Sequence, residues 1–303
     1  MRIVVIADHR LPAAWSYPGH GLGKSCLAIA EGLAGRGYAV TLVAAPGSAA
    51  DGCEVIAAES AEGLARRAFA AGPDVVIDGS HEHFYQRFYP GYPVINRSGD
   101  REGKPGRNAV YVSRAHAEYF GDGGGEVVYT GVPVGRVYMG ERSRYLLWLG
   151  PVEIPHKQVD MAIRVASRAG RPLVIAGTGW LAHEGFVGPV YGESKRRLIR
   201  QAAAVLVTGA IEAGPRTAIE AAAEGTPVIG LAAGGTPEYI GDGESGFVCS
   251  DEAAMVAAVQ RLAALDPARV QGWVAAHRGY AQMISGYERL AVQAANQAVK
   301  LAG

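Results

Sequence analysis

The chain has 303 residues, 49% hydrophobic and 19% charged, enough apolar material for one large or two ordinary domains and unlike a disordered or collagen-like chain. Its 29 Lys and Arg balance 29 Asp and Glu, so there is no basic excess to meet a polyphosphate or an anionic membrane, and no nucleic-acid partner is expected. Cys26, Cys53 and Cys249 are widely spaced, with no CxxC and no histidine cluster at metal spacing, which suits reduced thiols and argues against disulfides or structural zinc. No stretch approaches the ~18 apolar residues of a membrane span, and the first apolar run is broken at Asp8. The expectation is a cytoplasmic protein with no transmembrane segment, at most loosely associated with a membrane.

Met1–Ala7 is a continuous, β-branched apolar run of the kind that forms a strand buried on both faces. A Pro- and Gly-rich loop follows, then helical spacing over Ser25–Arg36, a stop at Gly37, and a second strand over Ala39–Ala45. The alternation continues with a helix at Ala61–Ala71 and strands at Asp74–Asp78, Pro93–Asn96, Ala109–Ser113 and Val127–Tyr129. After the polar stretch Val137–Arg144 it restarts. Strands are expected at Tyr145–Gly150, Pro172–Ala176, Ala204–Val207 and Pro227–Leu231, and helices at Gln158–Ala169, Glu193–Ala203, Arg216–Glu224 and from Asp251 onward. This is an α/β chain of two Rossmann-like domains facing each other across a cleft, where ligands sit at the carboxyl ends of the strands. The boundaries are placed at 1–138, 139–280 and a final helix, 281–303.

Gly19-His20-Gly21-Leu22-Gly23-Lys24-Ser25 invites a phosphate-loop reading. The spacing fails, because the position five before the last glycine is Pro18, which has no N–H, and no acidic residue ends the second strand as a dinucleotide fingerprint needs. An ordinary glycine turn packed close to a ligand remains. Gly177-Thr178-Gly179 follows a strand and reads either as a plain turn or as room for a ligand. In IEAGPRTAIE, Glu212 falls in a loop, Pro215 at the first helical position and Glu220 about one turn inside the helix. Such a helix start can hold a diphosphate while the carboxylates accept hydrogen bonds from sugar hydroxyls; two glutamates at this spacing are otherwise solvated surface charges. His81 and His83 lack a third ligand at metal spacing, so no metal site is expected. Phe84, Tyr85, Phe88, Tyr89 and Tyr92 are either core or a platform for an acceptor.

With these segments in order, the chain resembles the retaining glycosyltransferases of family 4, the glycosyl transferases group 1, which have the GT-B fold. The resemblance covers nearly the whole chain and is most specific in YLLWLG, HKQVDMAIRVA, LVIAGTG and EAGPRTAIEAAAEGTPVIGLAAGGTPEYIGDGESGFV, with its Glu-x7-Glu and Gly-Gly-x-Pro-Glu. It implies that Glu220 binds the donor ribose, that Glu212 lies near the donor sugar and that Lys157 contacts the diphosphate. Gly177, Gly179, Gly214, Arg216, Thr217, Gly234 and Gly235 match the donor loops, Gly21 and Gly23 the glycine loop of the first domain, and His81-Glu82 its His-Glu pair. Tyr287-Glu288-Arg289 suits a last helix that crosses back to the first domain. His81, Glu212 and Lys157 are the implied catalytic residues.

The implied reaction is retaining, metal-independent transfer of a hexose from a nucleotide diphosphate sugar, a UDP-hexose or GDP-hexose, to an acceptor hydroxyl, with no cofactor. The partners would be that donor and an acceptor sugar, small molecule or lipid-linked sugar. Two departures stand out: Pro151 occupies the family's phosphate-binding arginine position, and Pro215 removes a backbone amide after Glu212. Arg216 is therefore expected to supply the missing charge. The departures also motivate a non-catalytic nucleotide-sugar binding protein on the same fold, with a nucleotide-sugar epimerase as the rival enzyme. Up to Tyr138 there are 13 basic and 14 acidic side chains, a net charge of −1, which disfavours an anionic-membrane acceptor surface.

Overall fold

The computed structural model describes residues 1–17, 21–80, 84–89, 91–97, 108–120 and 125–302. In chain order the elements are β1 (Arg2–Ile6), α1 (Gly21–Ala34), β2 (Ala39–Ala44), β3 (Glu54–Ala57), α2 (Ala61–Ala70), β4 (Val75–Asp78), α3 (Phe84–Phe88), β5 (Val94–Arg97), β6 (Ala109–Tyr111), α4 (Arg114–Phe120) and β7 (Glu126–Val127). Then follow β8 (Leu146–Leu149), α5 (Val159–Arg168), β9 (Leu173–Ala176), α6 (Gly192–Gln201), β10 (Ala204–Val207), α7 (Arg216–Ala223), β11 (Val228–Leu231), β12 (Gly246–Cys249), α8 (Glu252–Gln260), α9 (Pro267–His277) and α10 (Tyr280–Ala302). The chain divides into two compact units, Met1–Thr130 with Tyr280–Gly303, and Gly131–Gly279. The segment just after Thr130 joins the second unit through a bridge between Val132 and Gly279 and through Arg142, which donates to the carbonyls of Tyr138, Arg200 and Glu224.

The first unit is a parallel seven-stranded sheet in the order β3-β2-β1-β4-β5-β6-β7. The unbroken apolar run of β1 follows from this placement, since side chains alternate between faces and both faces are covered. Ile3 and Val5 join Leu27, Ile29 and Leu33 of α1, whereas Val4 and Ile6 join Leu64, Ala65 and Ala68 of α2. The last helix belongs to this unit: Met283, Tyr287, Leu290, Ala291 and Ala294 of α10 complete the α1 side of the core. Glu288 pairs with Arg36, and Arg289 with Glu126 at 2.9 Å.

Of the aromatic cluster, Tyr85 is fully buried, Tyr89 stacks on Phe69 at 4.2 Å and Tyr92 meets the same ring edge-on at 5.4 Å. Tyr85 is core, and Tyr89 and Tyr92 are partly buried against it. Phe88 is exposed.

The second unit is a parallel five-stranded sheet in the order β12-β11-β10-β8-β9. Leu146, Trp148, Leu206 and Ile229 pack against Val159, Ala162 and Val165 of α5 and Met255 and Val259 of α8. Every strand of this sheet ends at the same side, and the loops that leave those ends are the ones singled out in the sequence.

Candidate donor site

Four neighbouring strands build this region. Gly150 follows β8, Gly177 follows β9, Thr208–Glu212 follow β10 and Gly234-Gly235 follow β11, so the loops converge at the carboxyl ends, the usual ligand-binding side of a parallel sheet. Thr208 fastens two of them: its hydroxyl lies 2.9 Å from the carbonyl oxygens of both Lys157 and Gln158, and accepts from Trp148 Nε1 at 3.0 Å. Lys157 closes a short 3-10 turn, Pro155–Lys157, and Gln158 beyond it takes a left-handed φ of 52°. The backbone thus aims the Lys157 side chain. Its Nζ lies 2.9 Å from both carboxylate oxygens of Glu212, in a pair whose side chains are 28% and 10% exposed.

The glycines here make room for backbone. A Cβ on Gly177 would sit 1.6 Å from the Gly150 carbonyl oxygen, so Gly177 is required by the β8–β9 approach itself. Gly234 has φ +53°, and a Cβ there would meet the Glu212 carbonyl at 2.4 Å; its neighbour Gly235 donates its N–H to that carbonyl at 2.6 Å. The Gly-Gly loop therefore clamps the main chain that carries Glu212. Gly179 takes φ +87° beside Glu153, and Gly214 lies against the Tyr239 ring.

At α7, Pro215 is the residue before the helix and not its first residue, which is Arg216; the helix begins with no side-chain cap. Thr217 lies in the first turn and is half-buried. Arg216 Nε donates to Glu220 Oε1 at 2.9 Å, and Lys195 Nζ of α6 donates to Glu220 Oε2 at 2.5 Å. Arg216 is thus held on its own helix by an i,i+4 pair. Burial pushes the Glu220 carboxyl up, but the charges and hydrogen bonds of Lys195 and Arg216 outweigh that and hold it below the ordinary value of 4.5. The trio carries a net positive charge beside the positive end of α7.

The structure thus brings Lys157 to Glu212, and Arg216 to Glu220, within one unit. Lys195 is the residue that the sequence reading does not single out: it lies 25 positions from Glu220 on another helix, and nothing local marks the pairing. Trp180, 80% exposed directly after Gly179, is likewise an aromatic face at the end of β9 that spacing alone does not flag. In the first unit, Gly21 opens α1 and Gly23 is buried in its first turn. His81, Glu82 and His83 lie outside the described residues. Among the described residues no group of three or more His, Cys, Asp or Glu is placed to hold a metal ion, and no helix is long and apolar enough to cross a membrane.

Two parallel-sheet units make a two-domain α/β fold, with the loops of the second unit's strands gathered at their carboxyl ends. Residues 143–264 match the family model of the glycosyl transferases group 1, so the second unit carries that family's sequence pattern. Among curated protein sequences none matches the chain. Solved structures match throughout its length. AviGT4, a glycosyltransferase involved in avilamycin A biosynthesis, superimposes with a TM-score of 0.78 at 24% identity, over 98% of each chain. Sucrose-phosphate synthase from Thermosynechococcus elongatus gives 0.68 at 16% identity, over 99% of this chain and 98% of the other. HepE from Anabaena in complex with UDP-glucose gives 0.66 at 13% identity, over 97% and 99%. The fold is GT-B, as the sequence motifs imply.

Proposed function

We propose that the protein is a retaining glycosyltransferase that moves a hexose from a nucleotide diphosphate sugar to an acceptor hydroxyl. The observation that carries this reading is the placement of the Lys157–Glu212 pair on the loops after β8 and β10, and of the Lys195–Glu220–Arg216 trio on α6 and α7. Three cations and a helix N-terminus suit a diphosphate, and the two carboxylates suit hydroxyls of ribose and sugar. HepE, of the same fold, is seen with UDP-glucose.

In this reading Lys157 meets the diphosphate, Glu220 the ribose, and Glu212 lies by the sugar. The bond from the anomeric carbon to the leaving phosphate oxygen breaks, and the acceptor oxygen bonds to that carbon on the same face. The leaving diphosphate takes the acceptor proton, its charge stabilised by Lys157, Arg216 and the α7 amides without a metal ion. Lys195 and Arg216 together supply the charge that Pro151 does not.

The test is a thermal-shift panel of UDP, GDP, ADP, TDP and their hexose conjugates, with and without magnesium, on wild type and Glu220→Ala. A ligand at ~100 times its dissociation constant stabilises by about 2.7 kcal/mol. The expected result is that one diphosphate stabilises without magnesium and that Glu220→Ala abolishes the shift. Stabilisation by none overturns the reading. Isomerisation of the donor alone identifies an epimerase, and binding without transfer or hydrolysis a binding protein.

A further inference from the structure

A cavity of about 320 Å³, the size of a small-molecule pocket, opens in the first unit. It lies at the amino ends of β5, β6 and β7, since Asn108 and Gly125 on its wall directly precede β6 and β7, and the second half of α10 covers it. These strands are parallel, so this is the end opposite to the one at which parallel sheets usually take ligands.

The space follows from residue size. β6 has three residues and β7 two, so few side chains reach toward the covering helix. Ala109 on β6 and Ala294 on α10 are both small. Gly125 cannot carry a side chain to fill the gap: its φ is +97°, and a Cβ there would lie 2.7 Å from the Tyr111 ring and 2.8 Å from the Ala109 carbonyl oxygen. Ile95, Val110, Leu290 and Ala294 belong to the buried core of the α10 side, so the floor of the cavity is aliphatic.

The rim is polar, and its hydrogen bonding is only partly taken up. Asn108, held at a left-handed φ of 53°, donates its Nδ2 to the Val94 carbonyl at 3.0 Å, while its own carbonyl accepts from the Asn96 N–H at 3.2 Å. Its Oδ1 is left as an acceptor. Arg289 of α10 donates to Glu126 Oε2 at 2.9 Å and to Gln293 Oε1 at 3.3 Å. Glu126 is thereby paired, and the Gln293 amide nitrogen remains a donor. Gln297, one turn further along α10, makes no hydrogen bond among the described residues. Acceptors and donors therefore stand side by side on this rim, and its one carboxylate already has a cation.

We propose that this cavity is a binding site for a compact neutral molecule with an apolar body and a hydroxyl, a phenol or an alcohol of similar bulk. A hydroxyl both donates and accepts, as the rim does, and the apolar body leaves water for the aliphatic floor. A carboxylate would lose its hydration against that floor and face the oxygens of Glu126 and Asn108, and an ammonium would have to displace Arg289 from Glu126. Because the walls come from α10 on one side and β5, β6 and β7 on the other, the bound molecule holds the last helix on the sheet. The site does not rest on the transferase reading above.

The experiment is a ligand-observed NMR titration of p-cresol, toluene and benzoate into the full chain, with limited proteolysis of α10 alongside. p-Cresol should bind about threefold or more tightly than toluene, the worth of a neutral hydrogen bond, and about tenfold or more tightly than benzoate, and it should slow cleavage within α10. Ala294→Leu puts a larger side chain on the floor and should weaken p-cresol binding about tenfold or more; Ala294→Val is read in its place if that variant does not fold. Gln293→Ala together with Gln297→Ala, both at exposed positions, should leave toluene binding in place and narrow the preference for p-cresol. No binding of p-cresol at millimolar concentration, equal binding of the three probes, binding untouched by the Ala294 variants, or a preference that survives the double glutamine variant overturns the site.

Discussion

Glu220 is a carboxylate held by two cations from two helices, Lys195 at 2.5 Å and Arg216 at 2.9 Å. That arrangement has a pH signature. Its folded-state pKa lies below the ordinary 4.5, so the ionised form contributes stability that is complete above that value and is lost as pH falls through the lower folded value. Glu220→Gln removes the titration, and its stability should fall less steeply on acidification than that of wild type. Thermal melts from about pH 7 down to about pH 3 read this directly, and parallel acid limbs would show that the two cations do not hold the carboxylate. At this scale the family pattern discloses the two glutamates, one in the loop before a helix and one inside it, and Lys157 with them. Lys195 is not legible, because its partner is a neighbour only once α6 and α7 pack beside each other. Gly177 is legible as a glycine but not as to cause. What excludes a side chain there is the Gly150 carbonyl 1.6 Å from its Cβ position, a contact between two strands that no local pattern reports.

Elements are legible where burial imposes a period. β1, β2, β10 and β11 stand within a residue or so of their expected limits, because strands covered on both faces need unbroken apolar runs. The strand β3 is missed, since it is a half-exposed edge of four residues, as is β12, whose Gly246 and Cys249 ends look like loop. The short helices α3 and α4 carry too few turns for a periodic signal. The packing of α10 on α1 is the element-scale contact with the most specific chemistry. A Cβ on Gly32 would lie 2.2 Å from Ile284 Cδ1, so the two helices approach at a glycine, with Arg36–Glu288 alongside. Gly32→Leu should therefore destabilise by about 1–3 kcal/mol, the usual cost of overfilling a packed interface. Urea unfolding checks the loss, and limited proteolysis checks its place, with cleavage within α10 rising ahead of cleavage in the second unit.

At the scale of the whole molecule the two units have separate sheets and separate cores, and α10 makes the first unit discontinuous in sequence. The second unit, Gly131–Gly279, is continuous and contains Lys157, Gly177, Lys195, Glu212, Arg216, Glu220, Gly234 and Gly235. All of the ion pairs among these residues lie within it. If the donor nucleotide is recognised by these groups, recognition does not need the first unit, whereas transfer does, because the acceptor must be presented. Residues 131–279 expressed alone should therefore fold on their own core and be stabilised by the same nucleoside diphosphate as the full chain. The expected gain is about 2.7 kcal/mol at ~100 times the dissociation constant, with no hydrolysis or transfer of the donor sugar. The Glu220→Ala form of the fragment should lose the shift. A folded fragment blind to every diphosphate that stabilises the full chain would place essential donor contacts in the first unit. The first turn of α1, which holds Gly21 and Gly23, would then be the first place to look.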